Sequence, residues 1–174
     1  MKIEKIISHE NYKDEKSHLR NDIALLRLEK SLNSSYMPAC LAPENANYTG
    51  KTAWLYGWGA IVDTKAGCFV DDWSSQVLRK TTQRIISNKE CAASKGFVAV
   101  TVGNENCDET NGTQIERVQK KYENRIFDDM ICGENEGRGE CEGDSGGPNT
   151  VEIDGKHFLV GVTSWASGCA KVIT

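Results

Sequence analysis

Apolar residues along this chain come in short runs cut by turn residues, and the runs have the length of strands. Ile23-Ala24-Leu25-Leu26-Arg27-Leu28 is an apolar run of the kind a buried strand presents. Thr52 to Tyr56 leads into Gly57-Trp58-Gly59, where the glycines mark a strand end or a close backbone approach. Val77 to Ile86 alternates in part, as a half-buried strand does. Ser87-Asn88-Lys89-Glu90 then reads as a capping box opening a short helix, with Gly96 placed to stop it. Further on, VEI-DG-KHFLVGVTSW reads as a hairpin, because Asp154-Gly155 suits the positive φ angles of a two-residue turn. The polar stretch from Lys95 to Asn124, with Gly96, Gly103 and Gly112, reads as a long surface insertion. Short strands separated by turns predict an all-β sandwich or barrel.

Composition narrows the function classes. The 174 residues are enough for one domain with a sizeable core. With 21 Lys+Arg against 25 Asp+Glu the net charge is -4 and no basic run occurs, which argues against nucleic acid and anionic membranes as partners. No apolar stretch nears the roughly 18 residues of a membrane span. The Cys residues (40, 68, 91, 107, 132, 141, 169) form no CxxC pair and the His residues (9, 18, 157) stand apart from them, so neither a metal nor a cofactor is expected. Scattered Cys in a chain of this size suggest disulfides and an oxidising compartment. The glycosylation sequons at Asn33, Asn47 and Asn111 agree. The start, MKIEKIISHENYKDEKSHLR, holds no apolar core of a signal peptide. An export-type interior behind such a start implies either that the natural start lies elsewhere or that the cysteines are reduced.

The segment carrying chemistry is Cys141-Glu142-Gly143-Asp144-Ser145-Gly146-Gly147-Pro148. A Ser flanked by glycines sits on a turn where backbone N–H groups can converge. The amides of Gly143 and Ser145 could there form an oxyanion hole, which stabilises charge that develops only in the transition state. A bare Gly-Ser-Pro turn between strands would show less. The whole GDSGGP string resembles the active-site signature of the trypsin-like (chymotrypsin-fold) serine proteases. Four further segments in that family's order strengthen the resemblance. Asn21 to Leu26 is similar to the strand carrying the catalytic Asp, and Gly57-Trp58-Gly59 to the start of the second barrel. Met130-Ile131-Cys132 is similar to the segment before the specificity pocket, and Ser164-Trp165-Ala166 to the family's S-W-G with Ala in place of Gly.

The resemblance implies a serine endopeptidase acting on protein or peptide substrates, secreted, with protease inhibitors as further partners. Ser145 would be the nucleophile and Asp22 would orient the base that takes its proton. Asp144 would pair with an activated N-terminal amine. Ser164 would hydrogen-bond near the Asp, and the backbone through Trp165 and Ala166 would pair with extended substrate. Cys91–Cys132 and Cys141–Cys169 match two family disulfides. Ala53 and Val151 occupy the positions of another common pair, replaced here at both partners. Cys68 and Cys107 could pair with each other, and Cys40 either bonds to something beyond this chain or stays free. In the trypsin branch an Asp six residues before the nucleophile attracts Arg or Lys. Gly139 stands there instead, which alone would suit apolar side chains. Glu140 follows, and it either lines the pocket wall and favours basic side chains or is a solvent-facing or core-paired acid, so the preference stays open.

In the family the catalytic His precedes the Asp by roughly 45 residues, but only 21 residues precede Asp22. His9, His18 and His157 have the wrong contexts and read as surface residues. The activation start is also missing, and CAKVIT ends before the final strand and helix of the family. The expected fold is therefore all-β, two antiparallel β-barrels with the first incomplete: a remnant over 1–50, and a second barrel over 51–174 with an insertion near 95–124. The missing N-terminal segment of the same protein becomes an expected partner. The alternative is a non-catalytic protease homologue that binds partners through the same cleft.

Overall fold

The computed structural model describes residues 1–15, 18–60, 74–102, 114–121, 125–135 and 139–166. Within them the chain is strand with one short helix. The strands before the first glycine-bounded turn are β1 (Ile3–Ser8), β2 (Lys13–Glu15), β3 (His18–Arg20), β4 (Ala24–Leu28) and β5 (Cys40–Leu41). After them come β6 (Thr52–Gly57), β7 (Arg79–Ile86), helix α1 (Asn88–Ala93), β8 (Lys95–Val102) and β9 (Gln114–Lys121). The last are β10 (Cys132–Glu134), β11 (Pro148–Ile153) and β12 (Lys156–Val162).

A six-stranded sheet in the order β10-β7-β6-β11-β12-β5 organises the molecule. It is antiparallel except where β5 joins β12 in parallel. Its buried cluster of Tyr48, Ala53, Ile85 and Val151 is flanked by Ala42, Ile153 and Val160. Ala53 and Val151, where the family commonly has a bridge, lie opposite each other in the β6–β11 register and are each 1% exposed. Two small apolar side chains thus fill the place of a covalent link. The Asp154-Gly155 turn joins β11 to β12 with both φ angles positive, at 50° and 72°, as the hairpin pattern requires.

Three smaller sheets stand apart: β1 with β4, β2 with β3, and β8 with β9. Among the described residues none of the sheets closes, which accords with an incomplete barrel. The apolar run at 23–28 was expected to be buried and is not: Leu25 is 67% exposed and Leu26 54%. A two-stranded sheet with no layer on it cannot bury its own face. The Ser87 cap forms as expected, its side chain accepting from the Glu90 amide at 3.1 Å, although the Glu90 carboxylate goes to Arg84. The helix ends earlier than Gly96. Ser94 caps it with its hydroxyl on the Cys91 carbonyl, and Gly96 falls within β8. The expected insertion therefore begins as a strand, paired with β9 along its full length. Cys68, Cys107, Cys169 and Asn111 lie outside the described residues.

Candidate active site

Asp22 is presented by a local backbone feature. Asn21 adopts φ 55°, a left-handed conformation that Asn tolerates better than most residues. Its side-chain amide donates to the Asn11 carbonyl at 3.0 Å, and its own carbonyl accepts from the Ile23 amide at 2.8 Å. The exposed Asp22 carboxylate at this turn accepts a 2.6 Å hydrogen bond from the Ser164 hydroxyl, 142 residues away in sequence. Ser164 follows β12, so this bond ties the turn before β4 to the large sheet.

The Ser145 turn is held from several sides. The Asp144 carboxylate accepts from the Gly59 amide at 2.8 Å and from the Cys141 amide at 3.0 Å. Glycine at 57 and 59 is a steric necessity, because a Cβ at either would overlap that carboxylate. The Asp144 amide donates back to the Cys141 carbonyl, and the Gly147 amide to the Asp144 carbonyl. The end of β12 completes the frame: the Gly146 amide donates to the Thr163 carbonyl at 2.8 Å, and the Thr163 amide to the Gly147 carbonyl at 2.9 Å. Gly143 at φ 90° and Gly146 at φ 81° allow the tight path. Between Cys141 and Gly147 the amides of Glu142, Gly143 and Ser145 make no hydrogen bond among the described residues. Ser145 is exposed and its hydroxyl makes none either.

Beside the turn lies a cavity of about 570 Å³. Asp22, Gly139, Glu140, Ser164, Trp165 and Ala166 line it, while Ser145, Gly143 and Asp144 do not. Arg125 stacks over the Trp165 ring at 5.0 Å. Glu140 is part-buried, and burial pushes its carboxyl above the usual carboxylate range, helped by the neighbouring Asp144 charge. Its backbone hydrogen bond acts in the opposite sense. Of the expected disulfides, Cys91–Cys132 is present, fixing α1 to β10, and Cys141 is disulfide-bonded to a residue outside the described ones. Cys40 is exposed and free.

Among the described residues neither His9 nor His157 bonds Asp22 or Ser145. His9 lines the cavity, with its Nδ1 accepting from the Asn11 amide at 3.1 Å. His18 lies in β3, and His157 is exposed on β12, its Nδ1 3.2 Å from the Thr150 hydroxyl. Within the cavity wall runs a polar chain that the sequence did not reveal. Gln83 donates to the Asn149 carbonyl oxygen at 3.3 Å, and the Asn149 amide donates to the Thr163 hydroxyl at 3.1 Å. The chain passes from β7 through β11 to the residue that frames the Ser145 turn. A polar side chain in a half-buried strand gives no local sign of such a partner.

The family profile named Trypsin matches residues 1–173. Trypsin-1 of Astacus astacus is 34% identical over 173 residues, a match covering 97% of this chain and 58% of the relative. The chain belongs to the trypsin family of serine proteases. It spans little more than half the length of that relative.

Proposed function

We propose that these residues are the serine-bearing part of a secreted serine endopeptidase, with Ser145 as nucleophile and Asp22 as the group that orients its base. The Ser145 hydroxyl attacks a substrate carbonyl while its proton passes to an imidazole held by Asp22. The negative oxygen is received by the amides of Gly143 and Ser145, and collapse expels the amine, which takes the proton from the imidazole. The imidazole is supplied by a segment of the same protein outside these 174 residues, and Asp144 receives the activated N-terminal amine. Substrate lies extended against Ser164, Trp165 and Ala166, with its side chain towards Gly139 and Glu140. Residues 1–50 belong to the first barrel and 51–174 to the second, with 95–124 inserted. Cys141 pairs with Cys169, and protein inhibitors that mimic substrate are further partners.

The observation that carries this reading is the framed turn with an exposed Ser145 beside the unpaired amides of Gly143 and Ser145. The test is covalent labelling of the protein, extended upstream, by diisopropyl fluorophosphate. Stoichiometric modification at Ser145, absent in Ser145→Ala, is expected. A folded, processed protein that stays unlabelled would instead support the non-catalytic homologue, a reading favoured by the lack of any basic partner for Ser145 among the described residues.

A further inference from the structure

The sequons among the described residues, Asn33-Ser34-Ser35 and Asn47-Tyr48-Thr49, lie in the connections on either side of β5. Neither lines the cavity. Both Asn residues are exposed, and each holds its side chain in the same way. The Asn33 Oδ1 accepts from the Ser35 amide at 3.0 Å and from the Ser34 hydroxyl at 3.4 Å. The Asn47 Oδ1 accepts from the Thr49 amide at 2.9 Å. In such Asx turns the side-chain oxygen is the engaged atom. The Nδ2 of neither Asn donates to a partner among the described residues. Asn21, Asn88, Asn135 and Asn149 differ: each donates its Nδ2 to a partner, at 3.0, 2.8, 2.8 and 3.1 Å. A bulky substituent on those nitrogens would crowd the partner. On Asn33 or Asn47 it would displace no hydrogen bond among the described residues. The backbone keeps both acceptors on the surface. The Tyr36 amide donates to the Asn33 carbonyl at 2.9 Å, closing the first turn. Tyr48 anchors the second in the buried cluster of the large sheet, while Asn47 and Thr49 on either side of it stay exposed.

We infer that Asn33 and Asn47 are modification sites, each carrying an N-linked oligosaccharide on its Nδ2. The donor is an oligosaccharide joined through a pyrophosphate to a polyprenol lipid. The Asn Nδ2 loses one proton and bonds to the anomeric carbon. The bond from that carbon to the phosphate oxygen breaks, and the lipid pyrophosphate leaves with the electron pair. The hydroxyl two residues after the acceptor, on Ser35 or Thr49, is the part of the signal that the transfer requires. The product keeps its Oδ1 and therefore keeps the Asx turn, with the glycan projecting from an exposed loop. At Asn33 the glycan stands beside Leu32, Tyr36 and Met37, all exposed, and covers that apolar segment with a hydrated layer. The transfer belongs to the secretory pathway, so the inference rests on the secreted part of the proposed function and not on the chemistry of Ser145.

Site-resolved mass spectrometry tests this on the protein extended upstream and passed through a eukaryotic secretory pathway by a supplied leader. Peptide N-glycosidase in heavy-oxygen water turns each glycosylated Asn into an Asp that carries the heavy label. Label at both Asn33 and Asn47 is expected, and none in a sample treated without the enzyme. Thr49→Ala, which keeps Asn47 itself, should remove the label at Asn47 alone, and Ser35→Ala should remove it at Asn33 alone. Thr49→Ser keeps a hydroxyl and should keep the label, which separates the requirement for that hydroxyl from a change in folding. Either Asn left bare in the folded, exported protein would overturn the inference, as would label that survives Thr49→Ala or Ser35→Ala. Each peptide is read separately, so the state of Asn111 does not enter. Labelling of Ser145 by diisopropyl fluorophosphate keeps this inference apart from the peptidase reading. Glycans on a protein with unlabelled Ser145 leave the modification standing and remove the peptidase. Ser145 labelling in exported protein with bare Asn33 and Asn47 does the reverse.

Discussion

At the scale of single residues, the site depends on side chains that frame Ser145 and do not themselves react. Gly59 is the sharpest case, since any Cβ there overlaps the Asp144 carboxylate that the Gly59 amide itself binds. Gly59→Ala should displace Asp144 and with it the amides beside Ser145. In the active protein the expected loss is about 10²–10³ in kcat, the effect of losing one oxyanion donor, read by steady-state peptide hydrolysis. Ser164→Ala should be milder: removing one hydrogen bond to a carboxylate is worth about 1.5 kcal/mol, or roughly tenfold in kcat, with KM little changed. Glu140 links the site to stability. Its folded-state carboxyl is raised above the unfolded value, so the folded chain binds the proton more readily and loses stability as pH rises through that interval. Glu140→Gln should therefore raise the thermal midpoint relative to wild type at about pH 8 and bring no such gain at about pH 4. The GDSGGP string made Ser145 and its neighbours legible because their chemistry is local in sequence. The Gln83–Asn149–Thr163 chain was not legible, because it joins residues 66 and 14 positions apart through side chains of ordinary strand composition.

At the scale of elements, the large sheet is the platform and α1 its brace. Cys91 in α1 bonds to Cys132 in β10 across 41 residues, while Arg84 of β7 pairs with both Glu90 of α1 and Glu134 of β10. The ion pairs are partly exposed and contribute little. The disulfide should contribute about 2–4 kcal/mol, mainly by restricting the unfolded chain. Replacing both cysteines by Ala should lower the unfolding free energy from urea titrations by that amount. A null effect would show that the fold does not use the bridge. Ile86, 2% exposed beside it, should lose about 2–5 kcal/mol on truncation to Ala. Element types followed from sequence wherever a turn residue fixed the geometry, as at Asp154-Gly155 and at the Ser87 cap. The end of α1 did not follow: Ser94 closes the helix with both its amide and its hydroxyl on the Cys91 carbonyl, and the chain runs through Gly96 directly into β8.

At the scale of the whole molecule, the two regions are unequal. The six-stranded sheet has a buried cluster, whereas β1 and β4 leave Ile3, Ile6, Ile7, Leu25 and Leu26 between 42% and 67% exposed. The apolar content of 23–28 was legible in the sequence. Its burial was not, because burial depends on layers that the sequence of one strand does not encode. A paired but uncovered sheet of this kind exposes both edges and apolar surface, so the 174-residue chain should self-associate on its own. Sedimentation of purified chain tests this, and a soluble, cooperatively unfolding monomer would count against it. The same inequality bears on activity, since Asp22 stands on the uncovered side and Ser145 on the packed one. Peptide hydrolysis by the 174-residue chain, beside that of a form extended upstream, tests the central claim most directly. The extended, processed form should turn over peptides and lose that activity in Ser145→Ala, while the 174 residues alone should fall about 10⁶-fold lower in kcat, as expected without the base. Robust turnover by the 174-residue chain that vanishes in Ser145→Ala would contradict the claim that its base comes from elsewhere.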